Sequence, residues 1–279
     1  MMEFGNKTVV FDGPKVMGIL NVTPDSFSDG GKYKDVNKAI DQAAEMVKKG
    51  ATFVDIGGES TRPGATEVLV DEELNRVIPV IEAIHARFDT IISIDTSKPQ
   101  VMLEATAVGA RLINDVRALR LDGALDVATK LAKEKNIPSC IMHMQGSPLT
   151  MQNNPKYDSV VDEVLAFFRE RIDTLVDAGF KYKQIMIDPG FGFGKNLEDN
   201  YQLLKHFLQF TEFDLPVLAG MSRKRMIGNL LNKDVENRLT GDISTHTIAA
   251  LYGASVLRVH DVEAIVDVVK IIDKINSVS

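Results

Sequence analysis

Eight short apolar runs in this chain each end in residues able to do chemistry. The ends are Asn21, Asp55 with Glu59, Asp95 with Thr96, Asn114 with Asp115, His143, Asp188, the Ser222-Arg223-Lys224-Arg225 run, and Arg258 with His260. One aspartate after a strand is an ordinary helix cap. Polar ends on all eight runs are more than packing requires, and they divide into two chemical kinds. Asp95, Asn114 and Asp188 offer acceptors and an amide beside apolar strands. They suit a flat, nitrogen-rich heterocycle, because a carboxylate accepts two parallel N–H bonds from a guanidine-like edge. Arg62, Lys224, Arg258 and His260 are cations or donors suited to phosphate or carboxylate oxygens. Since the formal net charge is -7, an anionic ligand must meet this local cluster and not a basic surface. The ligand so described has a base-like head and an anionic tail.

Two glycine-rich stretches extend the pattern. Residues 57–64, GGESTRPG, mix glycines, two hydroxyls and Arg62, as an anion-contacting loop would, although a plain turn-rich connection has a similar composition. Residues 188–195, DPGFGFGK, alternate three glycines with Phe191 and Phe193. There the glycines permit close backbone approach, and a phenylalanine could wall in an aromatic ligand. Residues 21–31 are almost all hydroxyls, carboxylates, glycines or a proline, and such a segment faces water or a ligand.

The elements that must position these groups follow from hydrophobic patterning. Strands are expected over 16–22, 53–57, 91–95, 112–116, 139–144, 185–188, 216–219 and 256–259, as continuous apolar runs of the kind buried on both faces. Helical patterns occupy 36–49, 69–88, 99–108, 124–135, 159–178, 198–207, 236–252 and 262–275, with Asp35 placed to cap the first. Gly50, Gly109 and Gly253 each close a helix ahead of an alanine and should take the left-handed conformation. Eight strand–helix alternations predict an α/β protein, a (β/α)₈ TIM barrel in one domain over 16–279. Residues 1–15 read as an N-terminal hairpin able to plug the barrel floor. An open doubly wound sheet would call for a Gly-rich turn after the first strand, and that turn is absent.

The 279 residues are 44% hydrophobic and 25% charged, ordinary for a globular protein. No apolar run approaches the ~18 residues that would span a membrane. The acidic balance argues against nucleic-acid and membrane-surface partners. A single cysteine, Cys140, excludes an internal disulfide and, with no secretory signal core at the N-terminus, points to a cytoplasmic protein. Cys140 lies in an apolar run and reads as a small buried hydrophobe. His85, His206 and His246 fall on helices as surface or packing residues. His143 lacks neighbouring metal ligands and reads as a satisfied structural histidine. Met142, Met144 and Met221 read as core filling.

MGILNVTPDSFSDGG, DIGGESTRPGA, SIDTSKP, NDV, MHMQG, DPGFGFGKN, GMSRKRMIG and RVHDV occur in order from Met17 to Val262. In this the chain resembles the dihydropteroate synthase family of pterin-binding enzymes over nearly its whole length. The resemblance implies a homodimeric barrel that condenses (7,8-dihydropterin-6-yl)methyl diphosphate with 4-aminobenzoate, giving 7,8-dihydropteroate and diphosphate in folate biosynthesis. It implies that Asp95, Asn114, Asp188 and Lys224 hold the pterin, with Asp95 and Lys224 catalytic. Asn21 would contact Mg²⁺ and, with Thr61, Arg62, Arg258 and His260, the diphosphate. Phe27, Pro63 and Phe193 would wall the 4-aminobenzoate pocket, where sulfonamides compete in this family.

The chain departs from the pattern at Arg225, where many members carry a serine associated with the aminobenzoate carboxylate. Arg225 either pairs with that carboxylate or points outward from a helix start. A related barrel that passes a methyl group from a reduced folate to a corrinoid protein needs no diphosphate site, so Arg62, Lys224, Arg258 and His260 argue against it. A catalytically silent paralogue would have lost site residues, and none of the expected positions is lost.

Overall fold

Alternation along eight parallel strands organises the molecule. The computed structural model describes residues 1–23, 32–60, 68–146, 151 and 155–278. A two-stranded antiparallel hairpin, β1 (Met2–Phe4) and β2 (Lys7–Val9), precedes the barrel strands. These are β3 (Lys15–Asn21), β4 (Phe53–Gly57), β5 (Ile91–Asp95), β6 (Leu112–Asp115), β7 (Ser139–Met142), β8 (Ile185–Asp188), β9 (Leu218–Ala219) and β10 (Val256–Val259). They lie in the order β8-β7-β6-β5-β4-β3-β10-β9. A parallel bridge between Ile187 and Val217 closes the ring, with the Ile187 amide donating to the Pro216 carbonyl at 3.0 Å. The fold is a (β/α)₈ barrel.

Nine α-helices lie among the described residues: α1 (Lys32–Lys48), α2 (Val70–Arg87), α3 (Pro99–Ala107), α4 (Ala124–Lys135), α5 (Val160–Ala178), α6 (Leu197–Lys205), α7 (Arg225–Leu231), α8 (Leu239–Leu251) and α9 (Val262–Ser277). Two departures from the expected helices have local causes. The first helix starts at Lys32, so Asp35 lies inside it and is not its cap. The short α7 was not expected, since Gly228 interrupts its pattern and Asn232 ends it after seven residues with φ +49°. Gly50, Gly109 and Gly253 do take positive φ, at 99°, 136° and 93°. No helix among the described residues is long and apolar enough to cross a membrane.

Because side chains alternate along a strand, each barrel strand sends one set outward and one inward. The outward set, including Val54, Ile56, Ile92, Ile94, Ile113, Ile141, Ile187 and Leu257, packs in the main core that also includes helix residues. The lowest inward set has one residue per strand: Met17, Phe53, Ile91, Leu112, Cys140, Met186, Leu218 and Val256. Met2, Phe4 and Val9 of the hairpin pack into this layer, and the Phe4 ring meets Phe53 edge-on at 5.2 Å. The hairpin thus closes the floor in apolar contact. Cys140 is buried there, and burial pushes its thiol pKa well up.

Candidate active site

Two residues further along the strands, the same inward alternation replaces hydrocarbon with Asp55, Ser93, Asn114, Asp188 and Arg258. An apolar floor and a polar upper layer follow from one period-two pattern. Arg258 of β10 reaches across the barrel mouth. Its Nε donates to Asp55 Oδ2 at 2.6 Å, and one terminal nitrogen donates to Asp95 Oδ2 at 2.8 Å. The Asn114 amide donates to the same Asp55 oxygen at 3.1 Å. Burial raises the Asp95 pKa to about 7, opposed by Arg258 and reinforced by the charges of Asp55, Asp115 and Glu73. Burial also works against the Arg258 guanidinium, but the Asp55 and Asp95 carboxylates outweigh it and hold the charge. Asp55 Oδ1 is buried without a hydrogen-bond partner among the described residues. That orphaned acceptor marks a place for an N–H donor from a ligand.

Across the mouth, Asp188 ends β8 and accepts from the Gly190 amide at 2.8 Å. Burial raises its pKa, and Lys224 opposes the shift most strongly. Lys224 caps α7. Its ammonium donates to the Phe191 carbonyl and stands 4.6 Å from the centre of the Phe193 ring. Burial lowers its pKa to about 8 against the pull of Asp188. Phe193 also packs on Met142, Met144, Met151 and Val116. Gly190 has φ +74°, and a Cβ there would lie 1.9 Å from the His143 carbonyl oxygen, so only glycine fits this turn.

A third group surrounds His260. The Ser222 hydroxyl lies 3.0 Å from both Asp242 Oδ2 and His260 Nδ1, and accepts from the His260 amide at 3.2 Å. Buried Asp242 also accepts from the Arg223 amide at 2.9 Å, and Arg223 forks onto Asp261. Asn21, Arg223 and His260 border one cleft.

Asn21, Gly57 and Asp95 lie side by side across β3, β4 and β5. A Cβ placed on Gly57 would stand 3.8 Å from Asn21 Oδ1 and 3.5 Å from the Asp95 Cβ, filling the gap between them. Among the described residues no three of His, Cys, Asp or Glu form a metal cage. Mg²⁺ commonly keeps several waters and takes one or two protein oxygens beside substrate phosphates. The single amide oxygen of Asn21 fits an ion brought in with a diphosphate.

The structure therefore brings together Asp95, Asn114 and Arg258, sets Lys224 beside Phe193 and in electrostatic reach of Asp188, and places Asn21 and His260 on one cleft. Arg258 is engaged with two carboxylates, a partnership its expected role on phosphate does not include. Arg225 opens α7, exposed and without an ion pair to any described residue. Phe27, Thr61, Arg62 and Pro63 lie outside the described residues. Asp242 and Lys195 were missed by the sequence reading. Asp242 sits in a helix and Lys195 follows a glycine-rich turn, and neither spacing signals a site. His143 is buried with its ring nitrogen 3.0 Å from the Lys195 ammonium, a satisfied structural histidine.

A parallel barrel whose polar upper layer gathers carboxylates, an amide and two cations defines a heterocycle-binding enzyme. Residues 17–260 match the family of pterin binding enzymes, and the chain belongs to that family. It is 53% identical over 260 residues to the dihydropteroate synthase of Escherichia coli (strain K12), covering 93% of this chain and 91% of that one. The crystal structure of the Yersinia pestis dihydropteroate synthase in a sulfonamide drug complex superposes with a TM-score of 0.94 at 48% identity, covering 99% of both chains. The Xanthomonas albilineans dihydropteroate synthase in complex with 7,8-dihydropteroate gives 0.90 at 45% identity, covering 100% of this chain and 99% of that one.

Proposed function

We propose that this chain is a dihydropteroate synthase, a transferase that joins (7,8-dihydropterin-6-yl)methyl diphosphate to 4-aminobenzoate in folate biosynthesis. The observation that carries the reading is the meeting of Asp95, Asn114, Asp188 and Lys224 at the mouth of one barrel. There, carboxylates and an amide face the nitrogen-rich edge of a pterin, and Lys224 supplies a cationic donor.

In the reaction the aniline nitrogen attacks the pterin methylene and forms a C–N bond. The C–O bond to diphosphate breaks, and a proton leaves the nitrogen to water. Ionised Asp95 stabilises cationic character on the pterin methylene as diphosphate departs. The aniline is a weak nucleophile held in place, so positioning matters more than a strong base. No enzyme nucleophile is needed, consistent with Cys140 lying in the floor layer. Asn21 would hold Mg²⁺, which when bound neutralises charge on the leaving diphosphate. Thr61, Arg62, Arg258 and His260 belong to the same diphosphate site. Phe27, Pro63 and Phe193 wall the aminobenzoate and sulfonamide pocket, with Arg225 near its carboxylate end. The family resemblance and the exposed apolar residues of α7 and α8 support a homodimer. The single cysteine supports a cytoplasmic setting.

The test is diphosphate release and dihydropteroate formation with Mg²⁺, with and without 4-aminobenzoate, for wild type and Asp95→Asn. The expected result is product from wild type and a loss of about 10²-fold or more in kcat for the variant. A wild type that binds pterin yet releases no diphosphate overturns the assignment.

A further inference from the structure

Lys195 is an ammonium buried to 3% exposure. Among the described residues no carboxylate pairs with it. Its Nζ donates instead to the carbonyls of Gly190 at 2.9 Å, Phe193 at 3.0 Å and His143 at 3.3 Å, and lies 3.0 Å from His143 Nδ1. Burying a cation among neutral acceptors is costly, so a buried methionine would fill the same space more cheaply if packing were the whole role. Every acceptor belongs either to the end of β7 or to the 190–193 turn. The ammonium therefore ties two barrel loops at one point.

The tied turn faces the chemistry. Its Phe191 carbonyl accepts from Lys224, its Phe193 ring lies beside the same ammonium, and its first amide holds Asp188. The glycines at 190, 192 and 194 all have positive φ, between 62° and 79°. Such a backbone has little stiffness of its own, and an external clamp has to define its shape.

We infer that Lys195 is a positioning residue for the transfer, a hydrogen-bonding hub that fixes the 190–194 turn and thereby places Phe193 and Lys224 around the two substrates. The inference rests on the synthase reading, but part of its test does not. With the ammonium donating into Nδ1, His143 carries its proton on Nε2. Burial, with help from Lys195 and Arg120, pushes the His143 pKa down to about 2, so the ring stays neutral. Burial also lowers the Lys195 pKa to about 7 against the pull of Asp188, so this tautomer is enforced below that pH, where Lys195 is charged.

Wild type, Lys195→Met and Lys195→Gln would be compared by steady-state kinetics, thermal melting and ¹⁵N NMR of the histidine rings. The methionine variant is expected to raise the KM for 4-aminobenzoate at least about tenfold, since small displacements of a positioned group have large kinetic effects. Glutamine, which keeps two N–H donors without the charge, should recover part of that loss. Wild-type spectra recorded at pH 6, where Lys195 is charged, should show unprotonated Nδ1 on His143, changed in Lys195→Met. The inference is overturned if Lys195→Met keeps both KM values and loses kcat only in proportion to its folded fraction. It is equally overturned if wild-type His143 is protonated at Nδ1, a result readable even if the methionine variant does not fold. A wild type without synthase activity would refute the functional reading and leave the NMR test of the Lys195 clamp intact.

Discussion

Asp95 and Lys224 are displaced toward each other on the pH scale by the same burial, the carboxyl up to about 7 and the ammonium down to about 8. The signs then fix a pH profile. In the proposed reaction Asp95 works as a carboxylate and Lys224 as a cation, so activity is expected to fall as pH drops below about 7 and again above about 8. A narrow bell in kcat/KM for the pterin substrate is expected, measured by initial rates from pH 5.5 to 10. Arg258 opposes the shift on Asp95. Arg258→Met should therefore move the acid limb upward by about one pH unit or more, since a neighbouring opposite charge is worth that much to a carboxylate. An acid limb that stays in place would mean that another group controls it.

At the scale of elements, the hairpin is the part of the fold most separable from catalysis. Phe4 is fully buried against Phe53 in the floor layer, while Asp55 and Asp95 lie above it. Phe4→Ala should destabilise the protein by about 3–4 kcal/mol through the cavity it leaves, lowering Tm by roughly 10 °C. The kcat of the folded fraction should not change, and calorimetry paired with initial rates checks both halves. Elements were legible where their pattern was continuous. Strands β4, β5, β8 and β10 have the bounds expected, since buried parallel strands read as unbroken apolar runs. Pro216 and Val217 close the barrel by a hydrogen bond and a bridge outside the ladder, which left β9 two residues long. Strand ends marked which polar residues would meet at the barrel mouth, but not which groups pair. Arg258 reads as a phosphate cation, yet its partners Asp55 and Asp95 are 203 and 163 residues away in sequence. Lys195 carries no signal of its own at the end of the 188–195 stretch, and only the folding of that turn over its side chain buries it.

For the whole molecule, the barrel separates its tasks by end and by side. The floor is hydrocarbon, the mouth is polar, and the described site groups are supplied by strands and loops of one chain. One flank remains apolar and exposed: Leu230 and Leu231 of α7, with Leu239, Ile248 and Leu251 of α8 and the adjoining Tyr252, are each about 40–60% accessible. Apolar residues grouped on consecutive helices are a common mark of an interface, and the resemblance makes a second copy the expected occupant. Sedimentation velocity should then give about twice the 30.7 kDa chain mass. Leu251→Asp places a charge in that flank and should shift the distribution toward monomer, because a desolvated unpaired carboxylate at an apolar contact costs several kcal/mol. Since none of these exposed apolar side chains is itself a site group, the monomeric variant should retain most of its kcat at assay dilution. Leu251→Asp remaining dimeric would move the interface elsewhere on the barrel. Monomerisation that abolishes turnover would instead mean that the partner subunit completes the site.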